Sequence, residues 1–210
     1  MSTSFINRRF KMTYSNVTLK LVILNFIVYA LIRLIWPSGF YYLSMIPSMV
    51  LQGAWWQFLT YMFVHANFSH IFFNMFALYI FGTAIESRIG SREFLCFYLV
   101  VGILSGIFSF FCYYLTGNNV VLMGASGAIY GVMLLFAVFF PFSTIYIFAL
   151  IPVRAPYLII AYFAIELFSQ VFAVAGGVAH LTHLGGLLFG FLYCLIRMKI
   201  NPIDVWKRTR

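Results

Sequence analysis

The sequence predicts an all-α, polytopic membrane protein, a bundle of six transmembrane helices with a long interfacial first loop. Of the 210 residues, 64% are hydrophobic and only 8% are charged. A soluble domain of this size carries about 25% charged residues. Because so little polar material cannot cover a surface in water, the bilayer is the expected solvent, and long apolar runs separated by short polar segments mark the crossings.

Each crossing needs about 20 apolar residues. The predicted spans run from about Val17 to Trp36, Asn67 to Ile85, Phe94 to Leu115, Ser126 to just before Pro141, Pro156 to Ala173, and Ala179 to Ile200. The first run lacks a small-residue cleavage site and leads into further spans, so we expect a retained helix rather than a signal peptide.

Two segments are apolar without being spans. The first loop, from Pro37 to about Ala66, contains two prolines and the pair Trp55-Trp56, a composition typical of an element at the membrane interface. The stretch from Phe142 to Val153 is too short to cross, and we expect a covering or interfacial segment.

The net charge of +9 sets the orientation rather than indicating nucleic-acid binding. Basic residues flank the spans, and if both termini are cytoplasmic, only Arg33 of the thirteen Lys and Arg residues lies outside. We therefore expect a multi-pass protein of the cell membrane with cytoplasmic tails at residues 1–16 and 201–210 and a membrane domain at residues 17–200. The lipid bilayer is its expected partner.

Polar side chains at membrane depth are costly, so each is a functional candidate. In the predicted topology several of them reach one level, just below the outer surface. At about 1.5 Å per residue, the roughly 16 residues of the fourth span cover about 24 Å of a core about 30 Å thick, so Ser126 should lie at the floor of a water-filled cavity. The candidates are His65, His70, Asn74, Ser126, Glu166, His180 and His183.

Glycine pairs predict close contact between the fourth and sixth helices. Gly127 and Gly131 form one Gly-x-x-x-Gly pair, and Gly186 and Gly190 form another. His183 precedes the second pair by three and seven residues and so projects from the same stripe. Simple helix packing would also explain the glycines.

This arrangement predicts acyl-transfer chemistry. Ser126 is the candidate nucleophile and His183 its general base. His70 and Asn74, four residues apart on one helical face, can donate to an oxyanion, as can the backbone N–H of Ser126. Glu166 lies near the middle of the fifth span, too deep in this topology to orient His183. We therefore predict a Ser–His dyad, with Tyr130 as the support of the imidazole.

The motifs together resemble those of the rhomboid intramembrane proteases. The matching residues are Gly124-Ala125-Ser126-Gly127 with Tyr130, His183-x-x-Gly186-x-x-x-Gly190, His65-x-x-x-x-His70-x-x-x-Asn74, and Glu86, Arg88 and Gly90. The resemblance covers about residues 17 to 200 and implies a cofactor-free serine endopeptidase that cuts transmembrane protein substrates near the outer surface. Many members have Trp-Arg in the first loop, where this chain has Trp56-Gln57.

The resemblance leaves the other histidines with lesser roles. Only His183 has glycines three and seven residues later, so His180 is interpreted as a residue of the cavity mouth. His65 either braces the loop beside the second span or is an exposed structural residue.

Three rival hypotheses remain. Four histidines near one face could form a metal site, but the His-Glu-x-x-His signature is missing, so we expect no metal. A non-catalytic relative would lack the serine or the histidine. A transporter would retain transport in a Ser126→Ala variant, and no repeat between the two halves supports it.

Overall fold

The computed structural model of the chain describes residue 10 and residues 12–147, 150–172 and 180–208. Within these ranges, five helices are long and apolar enough to cross a membrane. They are Val17–Leu34, Phe68–Ile89, Ser91–Leu115, Ala155–Phe172 and His180–Met198. Some residues used for the span and orientation predictions lie outside the described ranges, namely Arg8, Arg9, Lys11, Ala173, Ala179 and Arg210.

The elements follow one another in an order close to the predicted one. They are α1 (Val17–Leu34), α2 (Gly39–Leu43), α3 (Pro47–Leu51), α4 (Gln57–Thr60), α5 (Phe68–Ala77), α6 (Thr83–Ile89), α7 (Ser91–Leu115), α8 (Ser126–Phe139), β1 (Thr144–Ile147), β2 (Ile151–Arg154), α9 (Ala155–Phe172), α10 (His180–Tyr193) and α11 (Pro202–Lys207). A π-helical turn at Leu78–Gly82 joins α5 to α6 in one continuous helix, and another at Cys194–Met198 extends α10.

Helix α8 is the central helix of the bundle and also the shortest of the long apolar ones. Ten of its 14 residues are buried. It ends at Phe139, just before Pro141, because a proline disfavours helical backbone in the residue that precedes it. Its 14 residues rise only about 21 Å, which is less than the roughly 30 Å thickness of a bilayer core.

The two glycine pairs bring α8 and α10 into backbone contact. A methyl group built on Gly186 would lie 2.0 Å from the carbonyl oxygen of Gly127, and one built on Gly190 would lie 3.0 Å from Cα of Gly131. Only glycine fits at this separation, since real side-chain carbons do not approach other atoms so closely. The contact holds the start of α8 against the start of α10.

Short helices α2, α3 and α4 fold the first loop, and Gln57 holds them together. Its buried amide accepts a hydrogen bond from the backbone N–H of Ile46 at 3.0 Å and donates to the carbonyl oxygens of Tyr41 and Tyr42 at 3.3 and 3.1 Å. The neighbouring Trp56 indole also donates to Tyr42. Gln57 therefore anchors the first loop at the position where the resemblance would place an arginine.

The first loop also forms backbone hydrogen bonds with the segment that leads into α8. Met45 and Leu122 exchange two backbone hydrogen bonds of 2.9 and 2.8 Å, and the N–H of Gly124 donates to the carbonyl of Tyr61 at 2.9 Å. The Tyr61 hydroxyl in turn donates to the carbonyl of Gly102 in α7 at 2.6 Å. Burial raises the pKa of Tyr61 well above its usual range, so this hydroxyl keeps its proton.

At the opposite end of the bundle, the turn between α6 and α7 caps the first helix. The Glu86 carboxylate accepts from the backbone N–H groups of Val17 and Thr18 at 2.7 and 2.8 Å and from the Ser91 hydroxyl at 2.5 Å. A negative charge at a helix N-terminus satisfies its open donors and stabilises its dipole. The second span was predicted to end at about Ile85, but the helix continues to Ile89 and includes the buried Glu86.

The segment after α8, expected to be a covering or interfacial segment, forms a two-stranded antiparallel hairpin, β1–β2. Thr144 pairs with Arg154 and Ile147 with Ile151. Two of its apolar side chains, Tyr146 and Ile151, are exposed.

The segment beyond residue 200, expected to be a simple basic tail, contains α11. The Trp206 indole of this helix donates to the carbonyl of Ala137 at 2.9 Å. The C-terminal segment therefore packs against the end of α8.

Candidate active site

Ser126 and His183 meet where α8 and α10 begin. The Nε2 atom of His183 lies 2.8 Å from Oγ of Ser126. Ser126 is the first residue of α8 and His183 the fourth of α10, and the glycine contact one turn further along sets their separation. Both side chains are half-buried. The structure thus brings together the two residues that the sequence paired.

Tyr130 packs its ring face to face with the His183 imidazole. The ring centroids are 4.3 Å apart and the planes differ by 8°. Tyr130 follows Ser126 by one helical turn, so its ring lies below the hydroxyl and covers one face of the imidazole. This is the contact expected of a residue that restrains the imidazole.

Glu166 contradicts the expectation that no carboxylate reaches His183. Its Oε1 atom lies 2.9 Å from Nδ1 of His183 and also accepts from the Tyr130 hydroxyl. The depth argument was wrong because the assembled helices bring Glu166 level with the starts of α8 and α10. Glu166 lies six residues before Phe172, about 9 Å from that end of α9, and the short α8 starts at a comparable depth.

The sequence suggested that His180 lies at the cavity mouth, but in the structure His180 is buried. It is 8% exposed, and its Nδ1 atom lies 2.5 Å from Oε2 of Glu166. The correct signal was available in the sequence, since an acidic residue inside an apolar helix requires partners and the histidines of the next helix are the nearest candidates.

A cavity of about 470 Å³ opens beside the serine and histidine. Its lining includes both reactive side chains and both expected oxyanion partners. The lining residues are Ala66, Asn67, Ser69, His70, Phe73, Asn74, Val121, Leu122, Met123, Ser126 and His183. The predicted residues of three helices therefore face one space.

His70 presents a ring nitrogen to this cavity beside the nucleophile. Its Nδ1 atom accepts a long hydrogen bond of 3.4 Å from the N–H of Ala66, so in the neutral ring the proton lies on Nε2. Gly124 leaves room for the Nε2 edge of the His70 ring. It has φ of +114°, and a methyl group there would lie 2.8 Å from Nε2 of His70.

Asn74 lies one turn beyond His70 on α5 and is buried. Its Nδ2 atom donates to the carbonyl of His70 at 2.8 Å, which leaves the second amide hydrogen available. Among the residues that the structure describes, its Oδ1 atom has no hydrogen-bond partner.

His65 packs against His70 rather than facing solvent. The two rings meet edge to face, with centroids 5.0 Å apart, and His65 is only 2% exposed. Burial lowers the pKa of His65 to about 3, and repulsion from His70 adds to the shift. His65 is therefore neutral near pH 7 and acts as an apolar brace for the oxyanion side.

One group of side chains has the composition of a metal site. Ligand atoms of Glu166, His180 and His183 all lie within 4.8 Å of one another. This corrects the premise that no carboxylate lies at the depth of the histidines. In the structure these atoms are hydrogen-bonded to each other.

Comparisons with known proteins identify the family of the chain. The Rhomboid domain family matches residues 52–200. The rhomboid protease AarA of Providencia stuartii is 27% identical over 230 aligned positions, covering 94% of this chain and 79% of AarA. The rhomboid protease GluP of Bacillus subtilis (strain 168) is 44% identical over 85 residues, 40% of this chain and 16% of GluP. Rhomboid-like protease 1 of Toxoplasma gondii is 31% identical, covering 76% of this chain and 53% of that protein.

The chain spans less than two thirds of the length of GluP and of the Toxoplasma protease, and most of the length of AarA. The family match extends over more than half of the chain, including all the residues of the candidate site. With its apolar helices, this chain is a multi-pass membrane protein that belongs to the rhomboid family of intramembrane serine proteases.

Proposed function

We infer that this protein is an intramembrane serine endopeptidase that cleaves transmembrane-anchored substrates near the outer surface of the cell membrane. In this proposal α8 is the short fourth of six spans, and both termini are cytoplasmic. The basic residues support the orientation, since Arg33 is the only one placed outside.

A single contact carries the proposal. The hydroxyl of Ser126 and the imidazole of His183 lie 2.8 Å apart beside a cavity, inside a bundle of apolar helices. A hydroxyl becomes a useful nucleophile when a base takes its proton, and this distance is within reach for that transfer.

The chemistry follows from the positions of the atoms. His183 Nε2 accepts the proton of Ser126 as Oγ attacks the substrate carbonyl carbon. The imidazolium then returns the proton to the leaving amine, and a water molecule activated by the same nitrogen hydrolyses the acyl-enzyme. The half-buried site admits that water from the cavity, whereas the surrounding lipid supplies none.

The oxyanion of the tetrahedral intermediate needs donors in place before the reaction. Nε2–H of His70, the free amide hydrogen of Asn74 and the N–H of Ser126 at the open start of α8 line the same space. We propose these three groups as the oxyanion site.

The substrate class rests on the surroundings of the cavity. Apolar residues, including Phe73 and Met123, form much of its lining, and exposed aromatic side chains cover the outer face of α5. An extended segment released from a substrate helix fits such a site, because its backbone would find donors while its neighbours stay in lipid.

Cleavage of a membrane-anchored substrate in liposomes tests the proposal. We expect Ser126→Ala and His183→Ala to abolish cleavage while each protein keeps its thermal midpoint within a few degrees. Ser87→Ala is a matched control, since its hydroxyl donates to the carbonyl of Ala84 within its own turn, at the far end of the bundle. Cleavage by Ser126→Ala at the wild-type rate would overturn the assignment.

The Glu166–His180–His183 group favours one alternative, a metal-dependent hydrolase. That alternative predicts loss of cleavage in a chelator and recovery with Zn²⁺. The serine mechanism predicts the same rate with and without the chelator.

A further inference from the structure

The Glu166 carboxylate bridges three helices around the reactive pair. It projects from α9, accepts from Tyr130 on α8, and lies 2.9 Å from His183 and 2.5 Å from His180 on α10. Its side chain is only 7% exposed. A carboxylate buried among apolar helices costs several kcal/mol unless donors surround it, and three donors satisfy this one.

The contact with His183 determines which nitrogen of the imidazole carries the proton. A carboxylate only accepts hydrogen bonds, so Nδ1 of His183 must be the protonated nitrogen. Nε2 is then left with its lone pair, and that lone pair points at the Ser126 hydroxyl 2.8 Å away. The opposite tautomer would place a hydrogen on Nε2 and could not take the serine proton.

From this geometry we propose that Glu166 is a positioning residue for the hydrolysis, which fixes the tautomer of His183 and stabilises the imidazolium formed when Ser126 gives up its proton. Tyr130 and His180 hold the carboxylate in register with the imidazole. This proposal rests on the proposed function, and it replaces the expected dyad by a Ser126–His183–Glu166 chain.

The competing explanation is that Glu166 only holds α8, α9 and α10 together and has no part in the reaction. The two explanations differ in what they predict for kcat. A residue that only links helices contributes to stability, whereas a positioning residue lowers the barrier to proton transfer and leaves substrate binding unchanged. General-base catalysis contributes about 10² to 10⁴-fold, which bounds the effect.

Glu166→Gln and Glu166→Ala separate these roles. The glutamine oxygen can still accept from Tyr130 and His183, so the imidazole stays oriented while the negative charge is lost. Alanine removes both. We expect kcat to fall at least about tenfold in Glu166→Gln and at least about 100-fold in Glu166→Ala, with KM within about threefold of wild type.

Glu93→Gln is the matched control. Glu93 is also a buried carboxylate that accepts from a tyrosine hydroxyl, that of Tyr193. It lies on α7 and pairs with Arg197 of the π-helical extension of α10, at the opposite end of α10 from His183. We expect this variant to lose thermal stability without a change in kcat.

The rates of cleavage and of fluorophosphonate labelling should be measured on wild type, the three carboxylate variants and Ser126→Ala in parallel. If Glu166→Gln keeps wild-type kcat and labelling while Ser126→Ala is inactive, the Glu166 proposal is wrong and the serine mechanism stands. If Ser126→Ala itself cleaves, the proposed function fails. Should Glu166→Ala not fold, the isosteric Glu166→Gln decides the question alone.

Discussion

Replacing Gly186 by alanine should separate the reactive pair without touching either member. The added methyl group would lie 2.0 Å from the carbonyl oxygen of Gly127, whereas ordinary contact begins near 3.4 Å, so α8 and α10 must move apart by roughly 1.4 Å. His183 lies one turn from Gly186, and its 2.8 Å contact with Ser126 would lengthen to about 4 Å, beyond hydrogen-bonding distance.

A misplacement of about 1 Å costs about 100-fold in rate, so we expect kcat of Gly186→Ala to fall by about that factor. Alanine is favoured over glycine within a helix by about 1 kcal/mol. Any loss of thermal stability must therefore come from the clash, and we expect overpacking of about 1–3 kcal/mol to exceed that gain.

The assay is cleavage of a membrane-anchored substrate in liposomes, with the thermal midpoint measured in detergent. Gly185→Ala is the control, since its methyl group would meet the Phe108 side chain at 3.2 Å on the face toward α7 rather than α8. We expect its kcat to stay within about threefold of wild type. Wild-type kcat in Gly186→Ala would refute the reasoning that backbone contact sets the distance between serine and histidine.

Two further predictions concern the oxyanion side. Asn74→Ala should lower kcat by about 10 to 1000-fold, the scale of one lost oxyanion donor. Asn25→Ala is the control, because it loses the same type of hydrogen bond to the carbonyl four residues earlier and should leave kcat unchanged. Equal rates in the two variants would show that Asn74 is not part of the oxyanion site. Because the pKa of His65 falls from 6.5 to about 3 on folding, the stability it contributes is complete above pH 6.5 and is lost at about 1.4 kcal/mol per unit as the pH drops toward 3. The thermal midpoint of His65→Phe should therefore decline less than that of wild type between pH 6.5 and 4.5, and parallel curves would argue against a buried neutral His65.

The pairing of Ser126 with His183 could be predicted because it depends on local patterns. A glycine stripe fixes which helix faces meet, and the residue one turn before the stripe must lie near the partner helix. The fourth span was predicted to start near Ser126 and to end before Pro141, and α8 runs from Ser126 to Phe139.

Glu166 was misjudged because depth was counted along one helix at a time. Only the assembled bundle shows that α8 starts at the level reached by the Glu166 side chain. The high free-energy cost of an unpaired acid in lipid would have predicted this contact better. It implies that Glu166 has partners, and the next helix supplies them.

Other features depended on contacts between segments distant in sequence. Gln57 could not be recognised as the anchor of the first loop, because its partners are backbone carbonyls brought near by the fold. The hairpin at residues 144–154 was predicted only as a covering or interfacial segment, since a short apolar run does not distinguish strand from interfacial helix.

Covalent labelling provides the most direct test of the contact between Ser126 and His183. The enzyme in liposomes would be treated with a fluorophosphonate and the modified peptide identified by mass spectrometry. We expect one adduct on Ser126 in the wild-type protein and none in His183→Ala at the same exposure. An adduct on a different serine, or equal labelling of Ser126 without His183, would contradict the central claim that this imidazole activates this hydroxyl.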